Sequence, residues 1–396
     1  MDAICLPEEL RPLGGRIADA DSHEMMPAEL WPEKFGPEFR GVAEAYLAMG
    51  DESIGDADYP GDVMPVGADI AAIKGPRAPG ATEPLRRIEA MDAMGIARQL
   101  MYPSGIGILG FAMTMGKRPP FAWDTGGDLA ACGARWLEAY AAWALDAARG
   151  VDRVRPVLPL HGPTPDALCA MAKRLIEQGA PAFWIASGEL PGGCSPASPE
   201  LDPLWALLAE SNTAVTLHGG GEGRFLRTKG WRDAPHFMGY RSTQEFDFDP
   251  WSMSVYHLPS QNFAAAMVLG GAFERNPALR FGVIEVGAHW VGPTMEYLDT
   301  IHDKFRGDNA PRLAEKPSFY LRRNVRVTPL VYEEIGQWIA RHEGLEDILC
   351  FSTDYPHPEG GRNAAERFHR RIAQLGEDVV EKFFVANGQL LLPETR

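Results

Sequence analysis

The sequence has little of what would mark it for a membrane, an oxidising compartment or a nucleic acid. No run of about 18 apolar residues occurs, the least that a spanning helix needs, so no membrane association is expected. The five cysteines, Cys5, Cys132, Cys169, Cys194 and Cys350, are odd in number and widely spaced, with no C-x-x-C pair. That fits neither a disulfide framework nor a zinc knuckle and suits a reducing cytoplasm. The opening residues MDAICLPEELRPLGG carry acids where a signal peptide has positive charge. Positive charge is scarce overall: 38 Lys and Arg stand against 54 Asp and Glu, a net −16. A phosphate backbone would be repelled by that average surface, so nucleic acid is not an expected partner.

What is present is a globular composition, 45% hydrophobic and 23% charged, ordered in a repeating pattern. Eight apolar runs read as strands: Arg16–His23, Ala97–Ser104, Val154–Leu160, Ala182–Ser187, Ala214–Gly219, Arg280–Gly287, Tyr320–Thr328 and Asp347–Asp354. Helical patterns lie between them. In TEPLRRIEAMDAMGI, Thr82 is a candidate cap, Pro84 sits near the first turn, and Leu85, Ile88, Met91 and Met94 recur at helical spacing before Gly95. PDALCAMAKRLIEQGA places Leu168, Met171, Ala172, Leu175 and Ile176 on one face and stops at Gly179. Strand and helix alternating eight times predict a parallel sheet closed on itself, a (β/α)8 barrel formed as a single domain over residues 1–396. Two stretches exceed ordinary connections, residues 24–81 and 221–260. Both follow a strand, which puts them over the C-terminal face where active sites of this fold lie.

The strand ends carry the chemistry. Strand one ends Asp19-Ala20-Asp21-Ser22-His23, with Asp21 and His23 two apart and on one side of an extended chain. Strand five ends at His218 before a glycine run, strand six at Glu285 with His289 four residues on, and strand eight at Asp354 with His357 just beyond. Carboxylates grouped at one barrel mouth repel unless a cation compensates them. The oxygen and nitrogen donor set, without thiolate, suits zinc, iron or manganese and disfavours calcium. A lone strand-end histidine such as His161 or His369 reads instead as structural.

The segments ADADSHEMMPAELW, TLHGGG, FGVIEVGAHWVGPTMEYLD and STDYPHPEGG resemble signature segments of the amidohydrolase superfamily, in the branch called amidohydrolase 2, which contains metal-dependent decarboxylases and hydrolases. RIEAMDAMGIARQLMYPS resembles that branch's second strand with its preceding helix. The resemblance implies a distorted (β/α)8 TIM barrel of amidohydrolase type. It makes Asp21 and His23 first-strand metal ligands, His218 the fifth-strand ligand, and Asp354 the eighth-strand ligand or base. Two departures stand out. The commonest first-strand motif is His-x-His, where this chain has Asp21-Ser22-His23. On strand six the related decarboxylases commonly show a histidine, where this chain has Glu285, then Gly287 and His289.

A carboxylate in place of an imidazole adds negative charge and a bridging ligand, and His289 adds a donor. With His302 and His357 as further candidate donors, the expectation is two divalent ions held by Asp21, His23, His218, Glu285, His289 and Asp354. Two ions acidify a bridging water, so the expected activity is hydrolysis of an ester, thioester or amide, with Asp354, His357 or His289 managing protons. Thioesterases of this fold with two irons are similar in pattern. The alternatives are a mononuclear decarboxylase of an aromatic or enolic acid, a dinuclear-iron oxygenase, and a catalytically silent structural subunit. The second insertion interleaves Trp231, Phe237 and Trp251 with Arg224, Arg227 and Arg232. It reads either as a grip for a bulky apolar substrate with an anionic handle, a free acid or an acyl coenzyme A thioester, or as surface charge paired with Glu245, Asp247 and Asp249. The helix around Trp136, Tyr140 and Trp143 offers either a homodimer surface or core packing against the barrel.

Overall fold

The computed structural model describes residues 5–49, 70–223, 225, 228–237, 249–305 and 313–394. Seven strands pair in chain order: β1 (Ile17–Asp19), β2 (Ile96–Met101), β3 (Val154–Pro159), β4 (Ala182–Trp184), β5 (Ala214–His218), β6 (Phe281–Ile284) and β7 (Val325–Val327). Every pairing is parallel. Parallel neighbours need a crossover, and helices supply each one. The helix Pro84–Met94 leads into β2, Leu129–Ala147 into β3, Pro165–Glu177 into β4, Asp202–Glu210 into β5 and Leu258–Leu269 towards β6. Helices cover the sheet, and β3 and β5 are buried at every position.

Local chemistry sets the helix limits. Thr164 caps Pro165–Glu177, its hydroxyl accepting from the Ala167 amide at 3.2 Å, and the helix buries Leu168, Ala172 and Leu175 against the strands. Pro84–Met94 ends where Gly95 takes φ +71°, a conformation without steric cost only for glycine. Glu83, not Thr82, stands at its N-cap. In Leu129–Ala147 the rings of Trp136, Tyr140 and Trp143 are all buried. Trp143 meets Phe35 with centroids 5.8 Å apart, so these rings are core that also anchors the segment after β1.

Two sequence expectations change. The seventh strand begins only at Val325, because Tyr320 to Asn324 belong to the helix Pro317–Asn324, which opens on proline and ends with Arg322 and Arg323 beside its C-terminal carbonyls. Residues 347–354, expected as strand eight, form no continuous ladder. On one side they join β7 through Val327 N to Ile348 O (3.1 Å) and Cys350 N to Val327 O (3.0 Å). On the other they reach the chain beyond β1 through Ala20 N to Phe351 O (3.1 Å), Asp354 N to Asp21 O (2.9 Å) and His23 N to Tyr355 O (2.8 Å). The curled sheet thereby closes into a distorted (β/α)8 barrel. A strand cannot run through Asp354, whose φ of +51° is left-handed.

The closure is braced by Arg87, fully buried in Pro84–Met94. Its guanidinium donates to the carbonyls of Gly80 (2.6 Å), Tyr355 (3.1 Å) and His23 (2.5 Å), tying the first insertion, the closing segment and the end of β1 together. Among the described residues no disulfide forms, and no helix is long and apolar enough to cross a membrane.

Candidate metal centre

The ends of β1, β5, β6 and the closing segment bring six side chains into one string of donors. His23 Nε2 lies 3.4 Å from Asp21 Oδ1 and 3.4 Å from Asp354 Oδ1. His218 Nε2 lies 3.4 Å from the same Asp21 oxygen and 3.4 Å from Glu285 Oε2. His357 Nδ1 lies 3.3 Å from Asp354 Oδ1. All six residues are buried. Two overlapping sets have the spacing of metal ligands, Asp21–His23–His218 and His23–Asp354–His357.

Each donor is aimed by its own surroundings. Ser22, between the two first-strand donors, points the other way and donates to Leu100 O at 2.7 Å, pinning the strand end to β2. His218 Nδ1 donates to its neighbour Gly219 O at 2.9 Å, which leaves the Nε2 lone pair facing the carboxylates. The rings of Tyr102 (4.2 Å) and Trp184 (5.1 Å) hold that imidazole in place. Glu285 has φ +57°, its amide donating to Thr328 Oγ1 at 3.0 Å. Two of the three donor carboxylates thus sit on left-handed backbone, a local cost that the surrounding bonds must sustain. Gly219 is required here, since a Cβ would stand 2.2 Å from the Tyr256 hydroxyl and 2.9 Å from Glu285 Oε2.

The residues fit a divalent ion on three counts. His23 Nε2 and Asp354 Oδ1 are buried without a hydrogen bond, a state that costs free energy unless another partner is bound. Burial, and next the adjacent His357, hold His23 well below the ordinary imidazole range, so it is neutral and able to donate a lone pair. The spacing is right as well: a tetrahedral shell with bonds of about 2.1 Å has edges of about 3.4 Å. A cavity of about 20 Å³ is lined by Asp21, Glu285 and Asp354, room for one ion or one water.

Behind the donors stands a shell that sequence reasoning missed. Asp19 accepts from Gln99 Nε2 (2.7 Å), Thr353 N (2.9 Å) and Thr353 Oγ1 (2.6 Å), and burial nonetheless pushes its carboxyl up to about 7. Ser104 Oγ pairs with His357 Nε2 at 3.1 Å, and Glu24 accepts from the Ser104 amide at 2.8 Å. His357 stacks on His23 with centroids 3.7 Å apart. Ser104 was within reach, as a polar residue ending the second predicted strand. Glu24 had no pattern to reveal it.

Other expected residues lie elsewhere. His289 Nδ1 faces Glu333 Oε1 at 3.3 Å, its ring rests on His257 at 4.4 Å, and it belongs to neither ligand set. Glu333 draws it there by also accepting the Ala288 amide at 3.0 Å, which fixes the chain beyond β6. His302 pairs with its neighbour Asp303 at 3.4 Å. In the second insertion Trp231 is exposed, Phe237 and Trp251 are partly buried, and Arg232 pairs with Asp249 at 3.5 Å. Arg224 and Arg227 lie outside the described residues. A larger cavity of about 1170 Å³, lined by His161, Ile185 and Ala186, lies to one side. Phe111 lines its wall, and the Phe111 ring is 4.6 Å from Trp184, which in turn faces His218.

The amidohydrolase family model matches residues 124–392. The chain belongs to the amidohydrolase family. No curated protein matches it. Among solved structures, the amidohydrolase is similar to an amidohydrolase from Mycobacterium avium subsp. paratuberculosis K-10 at 19% identity and TM-score 0.63, covering 95% of this chain and 99% of that one. It is similar to 5-carboxyvanillate decarboxylase from Sphingomonas paucimobilis at 18% identity and TM-score 0.57, covering 96% and 99%. It is also similar to a dihydroxybenzoic acid decarboxylase from Polaromonas sp. JS666, solved with manganese and the inhibitor 2-nitroresorcinol, at 14% identity and TM-score 0.57, covering 96% and 97%. At these identities the likeness concerns the fold alone.

Proposed function

We infer that this amidohydrolase is a metal-dependent decarboxylase of an aromatic or enolic acid, working with one divalent ion. The observation that carries the reading is that His23 belongs to both ligand sets. An imidazole nitrogen has one lone pair and serves one ion, so sets that meet at His23 Nε2 describe one centre. The dinuclear hydrolytic alternative needs a donor for a second ion beside Glu285, and His289 faces Glu333 instead. The names of the decarboxylases that share the fold point the same way. Manganese, bound in one of them, fits a mixed carboxylate and imidazole set, as do iron and zinc.

A divalent ion held by Asp21, His23, His218 and Asp354 would supply Lewis acidity towards a substrate's carboxylate and adjacent hydroxyl oxygens. The protein's own groups do the rest. Tyr102 and Trp184 wall His218 and keep water from its ring. In decarboxylation the carbon–carbon bond breaks, carbon dioxide leaves, and the electron pair left on carbon takes up a proton. His357, whose Nδ1 lies 3.3 Å from Asp354 Oδ1, can hold that proton, and Ser104 fixes the far side of its imidazole. A second reading, hydrolysis, is favoured by one feature, the Glu285 carboxylate 3.4 Å from His218 Nε2.

Metal-reconstituted enzyme offered hydroxylated benzoates beside esters, lactones and acyl coenzyme A thioesters separates the two. Carbon dioxide release with one ion per chain supports decarboxylation. Ester or thioester turnover without carbon dioxide, with two ions per chain, would overturn it.

A further inference from the structure

The closing segment turns alternate residues to opposite sides. Ser352 and Asp354 line the metal cavity, whereas Thr353 and Tyr355 line a separate cavity of about 560 Å³, and the two cavities share no lining residue. The larger one lies between this segment, the chain around Leu6 and the helix Ala364–Ile372. Part of its wall is apolar, formed by the buried side chains of Leu6, Met94 and Phe351.

A cation stands in that wall. Lys74 lines the cavity and is 4% exposed, and its neighbour Gly75 donates to Pro356 O at 2.8 Å, which fixes the backbone at this point. Among the described residues the ammonium has neither a hydrogen bond nor an ion pair, and it stands 5.6 Å from the centroid of the Tyr355 ring. The acids that act on it from a distance, Asp354, Asp19 and Glu359, are placed elsewhere. Asp354 and Glu359 line the metal cavity, and Asp19 accepts from Gln99 and Thr353. The cavity's own acids, Glu8, Glu9 and Glu366, are exposed, and Glu366 is bound to Arg370. Two further cations add to the positive charge: Arg362, exposed on the cavity's lining, and Arg87, 4.9 Å from the Tyr355 ring with its donors on three carbonyls. A buried ammonium is costly unless an acceptor meets it.

We propose that this cavity is a binding site for an amphipathic monocarboxylic acid, its carboxylate on the Lys74 ammonium and its chain against Leu6, Met94 and Phe351. A single buried ammonium in apolar surroundings matches one carboxylate, where a phosphate dianion calls for several donors. The site is separate from the metal centre and does not depend on which reaction that centre performs. Its occupant lies against both chain neighbours of Asp354.

The test is calorimetric titration of the full chain with decanoate, with and without Mn²⁺, for wild type, Lys74→Met and Ala365→Phe. Wild type binds one decanoate per chain in the absence of Mn²⁺ and keeps that site in its presence. Lys74→Met weakens the binding about tenfold or more, as the loss of a hydrogen bond from a charged donor does. Decanol, which lacks the charge, binds wild type no better than decanoate binds that variant. Ala365→Phe adds a ring to the cavity lining while leaving Lys74 in place; it also weakens the binding, and it takes the measurement alone should Lys74→Met fail to fold. Absence of saturable binding, unchanged binding by either variant, or decanol binding as tightly as decanoate overturns the proposal. So does binding seen only with Mn²⁺, which would place the carboxylate at the metal centre.

Discussion

Replacing Arg87 by Met should weaken the fold and the metal centre together. The side chain is fully buried and donates three hydrogen bonds to carbonyls, those of Gly80, His23 and Tyr355. Each bond from a charged donor is worth about 1.5 kcal/mol or more, so the substitution should cost about 4 to 5 kcal/mol. At about 2.1 cal/mol/K per residue the unfolding entropy of the chain is about 0.8 kcal/mol/K, which converts that loss to a fall in Tm of about 5 °C. Two of the three carbonyls belong to His23 and to Tyr355, the neighbour of Asp354. Their release should therefore lower Mn²⁺ affinity about tenfold. Differential scanning calorimetry of metal-free and metal-loaded protein reads both effects, because weaker binding shrinks the Tm gain on metal addition. A variant within about 1 °C of wild type, or one that loses stability with its metal affinity intact, would refute the idea that one guanidinium braces both the closure and the donors.

Other outcomes follow from the same geometry. His218→Ala should lower metal affinity about a hundredfold, while His289→Ala, which removes a partner of Glu333 and not a donor of the string, should leave metal content unchanged; metal analysis of the two variants tests this. Gly219→Ala should keep the fold but depress activity, since its methyl group occupies the space of the Tyr256 hydroxyl and Glu285 Oε2; circular dichroism beside a turnover assay checks both halves. Burial, and next His289, hold His257 down at about 4, below its ordinary 6.5. Stability from keeping it neutral is present above pH 6.5 and is lost as pH falls towards 4. Urea midpoints of metal-free protein at pH 7 and pH 5 should show that loss, and His257→Gln should reduce it.

Much of the barrel was legible because parallel strands buried on both faces must be apolar, and the helices between them must be amphipathic. The residues that cluster at the barrel mouth were legible for the complementary reason: Asp21, His23, His218, Glu285 and Asp354 interrupt apolar runs at their C-terminal ends. The eighth strand was not, since nothing in DILCFSTD announces that Asp354 adopts a positive φ and ends the ladder. Nor was the direction of His289, which depends on Glu333, a residue 44 positions away that sequence spacing cannot connect to it. Glu24 lay in an irregular insertion without periodicity, so only the folded chain shows that it reaches His357 through Ser104.

The seam between the end of β1 and the closing segment also bears on how the chain matures. Thr353 donates to Asp19 across 334 positions of sequence, and Asp354 N meets Asp21 O beside it. Contacts of such separation form late, after their loop-closure entropy has been met by earlier packing. A chain emerging from the ribosome therefore presents Asp21 and His23 long before Asp354 and His357 exist to complete the donor string. The candidate donor string is thus complete only once the barrel has closed.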